Sequence, residues 1–138
     1  MRDTFIFLPV ILQILLTVAL YFALAAAKKK AIAAGDVDQK RRGLYDDAWP
    51  VSVIKINNCI RNQFEVPVLF YTLIGMLWAL SAISLFVHSL AWIYILSRAA
   101  HAYIQTGSNR VPLRLRFFSI GVLSVVALAF TALYTVLA

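Results

Sequence analysis

The chain has 138 residues, of which 62% carry hydrophobic side chains and only 14% are charged, whereas an ordinary soluble domain is about 45–50% apolar and about 25% charged. That balance excludes a typical soluble globule, and with only 5 Gly and 4 Pro it also excludes collagen-like and low-complexity disordered chains. The 13 Lys and Arg against 6 Asp and Glu leave a formal charge of +7, and the one cysteine, Cys59, permits neither an intrachain disulfide nor a CxxC metal site.

The first charge-free stretch runs from Thr4 to Ala27, long enough to cross a hydrocarbon core of about 30 Å, which needs about 20 helical residues. The cationic run Lys28-Lys29-Lys30 follows this stretch instead of preceding it, so it reads as a retained span and not as a signal peptide. Val51 to Gln105 would be roughly 80 Å long as one helix at about 1.5 Å per residue, so it folds as two spans with a turn near Ser81–His88. A last charge-free stretch covers Phe117 to Ala138. These runs are continuous rather than alternating, which selects helices over a barrel. The expectation is one domain, 1–138, with spans over approximately 4–27, 53–80, 86–106 and 114–137. Its fold class is all-α: an integral membrane four-helix bundle of up-down topology.

Lys28, Lys29, Lys30, Lys40, Arg41 and Arg42 lie in the first loop and Arg110, Arg114 and Arg116 near the third, while the second has no positive charge. The positive-inside rule then puts loops one and three in the cytoplasm and both termini on the other side, which for a bacterial inner membrane is the periplasm. Loop asymmetry and anionic headgroups account for the positive charge, so membrane lipids, and no nucleic acid, are the expected partners.

At about 100° per residue, Lys55, Asn58, Arg61, Asn62 and Glu65 fall within an arc of roughly 120°, one polar stripe on the second span. Arg61 and Glu65, four residues apart, are expected to neutralise one another. One or two polar groups suffice as glue between helices; five on one helix are more than glue requires. Pro67 would deprive the Gln63 carbonyl of its amide partner and kink the helix beside the stripe. On the third span Tyr94, Arg98, His101 and Gln105 occupy an arc of roughly 60°. Trp49, Trp78 and Trp92 read as interfacial or packing aromatics, and Cys59 as an inert buried thiol. His88 and His101 sit at opposite ends of one helix, too far apart to share a haem, and no metal site is expected. No phosphate-binding glycine loop, HExxH or GxSxG is present. A cationic, hydrogen-bonding cavity remains, suited to a small polyanion.

Arg61-Asn62-Gln63-Phe64-Glu65, followed by Pro67, resembles the Arg-Asn-x-x-Glu signature of the MAPEG family, the membrane-associated proteins of eicosanoid and glutathione metabolism. Arg98-x-x-His101 and Gly107-x-x-Arg110-x-Pro112-x-Arg114 resemble the end of helix three and the start of helix four in the family's prostaglandin E synthase branch. Lys28-Lys29-Lys30-Ala31-Ile32-Ala33, followed by an acidic stretch, is similar to its first loop. The resemblance spans nearly the whole chain and implies a homotrimer that binds glutathione as co-substrate between neighbouring subunits, together with a lipophilic second substrate. By position, it implies that Asn62 and Glu65 contact the tripeptide, Glu65 accepting from its amino group, and that Arg114 is the catalytic arginine. Asn58, Arg61, Arg98, His101, Gln105 and Arg110 complete the candidate binding set.

The chain departs from the mammalian pattern where Asn58 stands in place of an arginine, Gln105 in place of a tyrosine and Leu115 in place of the serine of the prostaglandin branch. These differences count against a specific eicosanoid activity, and the short, compact sequence looks more like a bacterial member than a mammalian synthase. The expected activity is a glutathione-dependent transferase or peroxidase acting on hydrophobic electrophiles through an arginine-stabilised thiolate. The alternative is a catalytically silent protein of the same fold that serves as a small-anion, lipid-binding or assembly module.

Overall fold

Helix α1 covers Phe7–Ala33, 27 residues, in a computed structural model that describes residues 3–138. The first two residues of the expected domain lie outside the described ones. Alanine, leucine and lysine are strong helix formers, so α1 continues through Lys28–Lys30, beyond the charge-free stretch. It ends at Gly35, whose φ of +73° suits the left-handed stop that glycine adopts without strain. The amide of Asp36 donates to the Ala31 carbonyl at 3.1 Å and that of Gly35 to the Ile32 carbonyl at 3.1 Å, the paired bonds of a Schellman motif.

A loop with one short 3-10 turn, Asp46–Ala48, leads to the second rod of the bundle. This rod is broken. Helix α2 spans Val51–Asn62 and α3 spans Val66–Ala79, with Pro67 in the first turn of α3. A proline cannot donate to the carbonyl four residues back and its ring clashes with that carbonyl, whereas in a first turn the missing amide is not needed. The chain therefore restarts a helix at Val66 instead of kinking a continuous one. The break also corrects the expected Arg61–Glu65 pair: the two residues no longer share a helix, and Arg61 pairs with Asp46 of the first loop.

The next turn occupies residues 80–84, where Ser81 has a φ of +56°, earlier than the midpoint of the expected stretch. Ser84 fixes the boundary, because its hydroxyl accepts from the Val87 amide at 3.3 Å and caps α4, Leu85–Thr106. Beyond a second short turn, α5 runs over Val111–Leu137, with Pro112 in its first turn. Four rods result, and among the described residues there is no strand.

α4 packs most extensively on α5 and also touches α1 and α2. Phe70, Ile74 and Leu77 of α3, Val87, Ala91 and Tyr94 of α4, and Val125, Leu128 and Ala132 of α5 fill the half of the bundle remote from the basic loops. There the Phe70 and Tyr94 rings stack at 4.1 Å. The other half is knitted by polar groups. Gln13 Nε2 donates to Gln63 Oε1 at 2.7 Å, and Gln63 Nε2 donates to the Cys59 carbonyl at 2.9 Å, a bridge from α1 into the break. Outward, α1 and α5 present Phe22 at 74%, Leu123 at 66% and Phe130 at 67% exposure. Both helices are long and apolar enough to cross a membrane, which accounts for apolar side chains on the outside of a single chain.

On the side opposite the basic loops, His88 and Asp3 bring Nε2 and Oδ2 to 2.5 Å, fastening the N-terminal segment to α4. That hydrogen bond to His88 is the main cause holding the Asp3 carboxyl below its ordinary range.

Candidate functional site

At the basic end of the bundle, the polar stripes of α2 and α4 meet. Ending α2 at Asn62 frees the carbonyl that Val66 would otherwise engage, and Arg98 supplies the donor: its Nη2 lies 3.3 Å from the Asn62 oxygen. The Asn62 side chain is fixed as well, Nδ2 donating to Gln105 Oε1 at 3.0 Å. Arg98 and Gln105 thus hold Asn62 by backbone and side chain together. Arg98, His101 and Gln105 are 1, 2 and 4% exposed, interior to the protomer. The Phe118 ring of α5 lies 5.9 Å from the Arg98 guanidinium and 5.8 Å from the His101 ring, close enough for a cation–π contact with Arg98. Among the described residues, Arg98 Nε and His101 Nδ1 have no hydrogen-bond partner.

Arg114 comes from the first turn of α5 and is half-buried. The turn before it is tightly specified. Asn109 has a φ of +52°, its amide donates to the Ile104 carbonyl at 2.7 Å, and its side-chain oxygen accepts from Arg114 Nη1 at 2.7 Å. A neutral amide therefore aims the guanidinium, and Arg114 makes no ion pair among the described residues. Lys55 steadies the same turn from α2, Nζ donating to the Gly107 carbonyl at 2.7 Å, where a cation also complements the end of α4.

The remaining members of the stripe face outward. Asn58, Arg61 and Glu65 are exposed and Asn62 is half-buried. Asp46 of the first loop accepts from Arg61 and, at 3.5 Å, from Asn57 Nδ2. The loop is itself braced: Arg41 Nη2 donates to both carboxylate oxygens of Asp47 at 3.0 and 3.1 Å, Trp49 Nε1 donates to the Arg42 carbonyl at 3.3 Å, and Lys28 Nζ sits 4.9 Å from the centre of the Trp49 ring. Glu65 makes no hydrogen bond or ion pair with its side chain among the described residues. Arg110 is exposed, at the entry to α5.

A model of the MAPEG family matches residues 6–134, nearly the whole chain. The chain belongs to the MAPEG family. No curated protein and no solved structure matches it at the significance required of a relative. MAPEG membership makes the four rods an integral-membrane bundle.

Three contributors to this site lie outside the sequence motifs. Asp46 sits in a run of loop charges with no periodicity to single it out. Asn109 carries a turn signal in Gly107-Ser108-Asn109 but no sign that it would orient Arg114. Phe118 is one apolar residue in an apolar helix. Cys59 is fully buried, its Sγ 3.8 Å from Gln63 Nε2, in keeping with an inert thiol. Among the described residues no group of three His, Cys, Asp or Glu side chains converges.

Proposed function

We propose that this MAPEG protein is an integral-membrane, glutathione-dependent transferase or peroxidase acting on hydrophobic electrophiles, with Arg114 stabilising the glutathione thiolate. The observation that carries this reading is the state of Arg114: it is half-buried, aimed by a neutral amide and not neutralised by a carboxylate. A free thiol of pKa about 8.5 is only about 3% thiolate at neutral pH. A guanidinium that lowers this by about 2 units, about 2.7 kcal/mol, makes most of it nucleophilic. Arginine keeps its proton in such a partly desolvated place, where lysine can lose it. In a conjugation the thiol proton leaves to solvent, the sulfur forms its bond to the electrophilic carbon, and the leaving group departs with the displaced electron pair.

The accessible groups suit a tripeptide with two carboxylates and one ammonium. Arg61, Arg110 and Arg114 offer cations, Glu65 an acceptor for the ammonium, and Asn58 and Asn62 amides. Arg98 and Gln105 act from inside by holding Asn62, with His101 packed beside the Phe118 ring. Because Asn58, Arg61 and Glu65 lie on the outside of the protomer, the site is completed by a neighbouring subunit, in a homotrimer whose basic end faces the cytoplasm of a bacterial inner membrane. The lipophilic substrate arrives from the bilayer.

Calorimetry of glutathione binding in detergent, with ultraviolet thiolate absorbance followed across pH, tests the proposal. Binding accompanied by a thiolate signal at neutral pH is expected. Absence of binding at millimolar glutathione would turn the assignment toward a silent module.

In the protein without ligand, Asp46 occupies the Arg61 guanidinium, so a ligand carboxylate must compete with it. Asp46→Asn is expected to tighten glutathione binding by up to about fivefold, the upper range for an exposed ion pair. Weaker binding in the same titration would show instead that Asp46 holds Arg61 in position for the ligand.

A further inference from the structure

Arg110 and Arg116 line one shallow cavity of about 180 Å³ at the start of α5, together with Pro112 and Leu113. Unlike Arg61 and Arg114, neither arginine side chain has a hydrogen bond or ion pair among the described residues, and both are exposed. Leu113 and Arg116 lie a three-residue step apart on one face of α5, with Arg110 at its N-cap. The same row continues at Ile120 and Leu123 and reaches Phe130, which are 41, 66 and 67% exposed. At about 1.5 Å per residue, Ile120 and Phe130 lie about 15 Å apart along the axis, the depth of one leaflet of an approximately 30 Å hydrocarbon core.

An apolar groove of about 270 Å³ opens beside this row, between α4 and α5. It is lined by Ile93, Leu96, Ser97, Phe117 and Ile120. Phe117 and Ile120 of the groove lie four residues beyond Leu113 and Arg116 of the cavity, so the groove begins one helical turn below the cationic cavity. Gly121 keeps this seam narrow, because α4 and α5 approach closely there.

We propose that this face of α5 is a binding site for one anionic phospholipid, its phosphodiester seated between Arg110 and Arg116 and one acyl chain laid along the groove beneath them. Charge complementarity selects the headgroup: two free guanidinium groups match phosphate oxygens and leave a zwitterionic headgroup with an unmatched cation. The apolar row selects a lipid over a soluble phosphate, because it contributes only when chains are attached. This site shares Arg110 with the glutathione proposal, but Arg116, Ile120 and Leu96 have no part in the thiol site, so Arg116→Gln and Ile120→Trp test it separately.

The test uses the full chain in nanodiscs of phosphatidylcholine containing a minor share of phosphatidylglycerol, followed by gentle detergent release and native mass spectrometry of the retained lipid. In wild type the ratio of retained phosphatidylglycerol to phosphatidylcholine is expected to be about 30-fold above the bulk ratio, the preference that two basic side chains near the surface supply. Arg116→Gln should lower this enrichment about fivefold, and the double variant Arg110→Gln/Arg116→Gln should reduce retention to the bulk ratio. Ile120→Trp, which fills the groove and leaves both arginines, should also lower retention. Glycerol phosphate, which has the anion without chains, should not displace the lipid.

No enrichment in wild type, enrichment that persists in the double variant, or displacement by glycerol phosphate would each overturn the proposal. So would loss of the oligomer in the double variant with no lipid retained by wild type, which would assign the face to a second copy. Both arginines are exposed, so the single variant Arg116→Gln keeps the test available if the double variant does not fold. Glutathione titration of Arg116→Gln separates the two proposals, because lipid retention and thiolate formation are read independently.

Discussion

Arg114→Ala is expected to return the thiol of bound glutathione to its ordinary titration, moving its midpoint from about 6.5 to about 8.5. At neutral pH the thiolate fraction then falls from about three-quarters to about 3%, roughly 25-fold. The sign follows from the charge: a cation favours the ionised thiol, so its removal raises the pKa and moves the activity profile toward alkaline pH. The variant should therefore recover thiolate absorbance above about pH 8.5, a recovery that a collapsed site would not show. Arg114 is half-buried on the first turn of α5, and its hydrogen-bond partner is the Asn109 side chain, so the bundle is expected to stay folded. Arg114→Lys should retain only part of the effect, because a single ammonium cannot both bond Asn109 and face the sulfur as a planar fork does. Loss of the oligomer in Arg114→Ala, or an unchanged thiolate titration, would remove Arg114 from the chemistry.

The helical class was legible because the lipid phase imposes simple demands. Uncharged runs of spanning length become helices, as α1 and α5 show, and the family motifs extend over residues that the family match covers. The interior stripe was legible for the same reason: a rotation of about 100° per residue puts Tyr94, Arg98, His101 and Gln105 on one side, and all four are buried. What periodicity could not reveal were changes in the backbone itself. A regular helix brings Arg61 next to Glu65, yet the missing amide of Pro67 ends that helix and releases Arg61 to a loop carboxylate. The break also transfers the Asn62 carbonyl to Arg98, a contact between residues 36 apart in sequence. Such pairings depend on how rods pack, and packing is set by contacts that no single stretch encodes. The same holds for Asn109: its turn propensity is local, but its use as the support for Arg114 exists only once α5 has begun where Pro112 starts it.

Gly121→Leu is expected to cause the largest loss of folded protein among single substitutions in the bundle. Gly121 is buried in α5 against α4, and a β-carbon placed there would lie 3.1 Å from Ser97 Oγ, 3.5 Å from Arg98 Cδ and 3.7 Å from Tyr94 Cε2. Small residues at such seams let membrane helices approach closely, since lipid tails leave no hydrophobic gain to drive them together. Alanine asks Ser97 to yield by a few tenths of an ångström, and Gly121→Ala should be tolerated with a lowered thermal midpoint. Leucine adds three further carbons to a filled space, where overpacking costs about 1–3 kcal/mol or more. The damage extends to the site, because displacing Arg98 takes the donor from the Asn62 carbonyl and leaves a buried acceptor unsatisfied, about another 1–3 kcal/mol. Gly75→Ala is the control: its β-carbon meets nothing within 4 Å, and α3 should gain slightly from the better helix former. Thermal unfolding of the three variants in one detergent decides the matter. If Gly121→Leu unfolds at the temperature of wild type, α4 and α5 do not approach as described, and the support of Asn62 by Arg98 falls with that spacing.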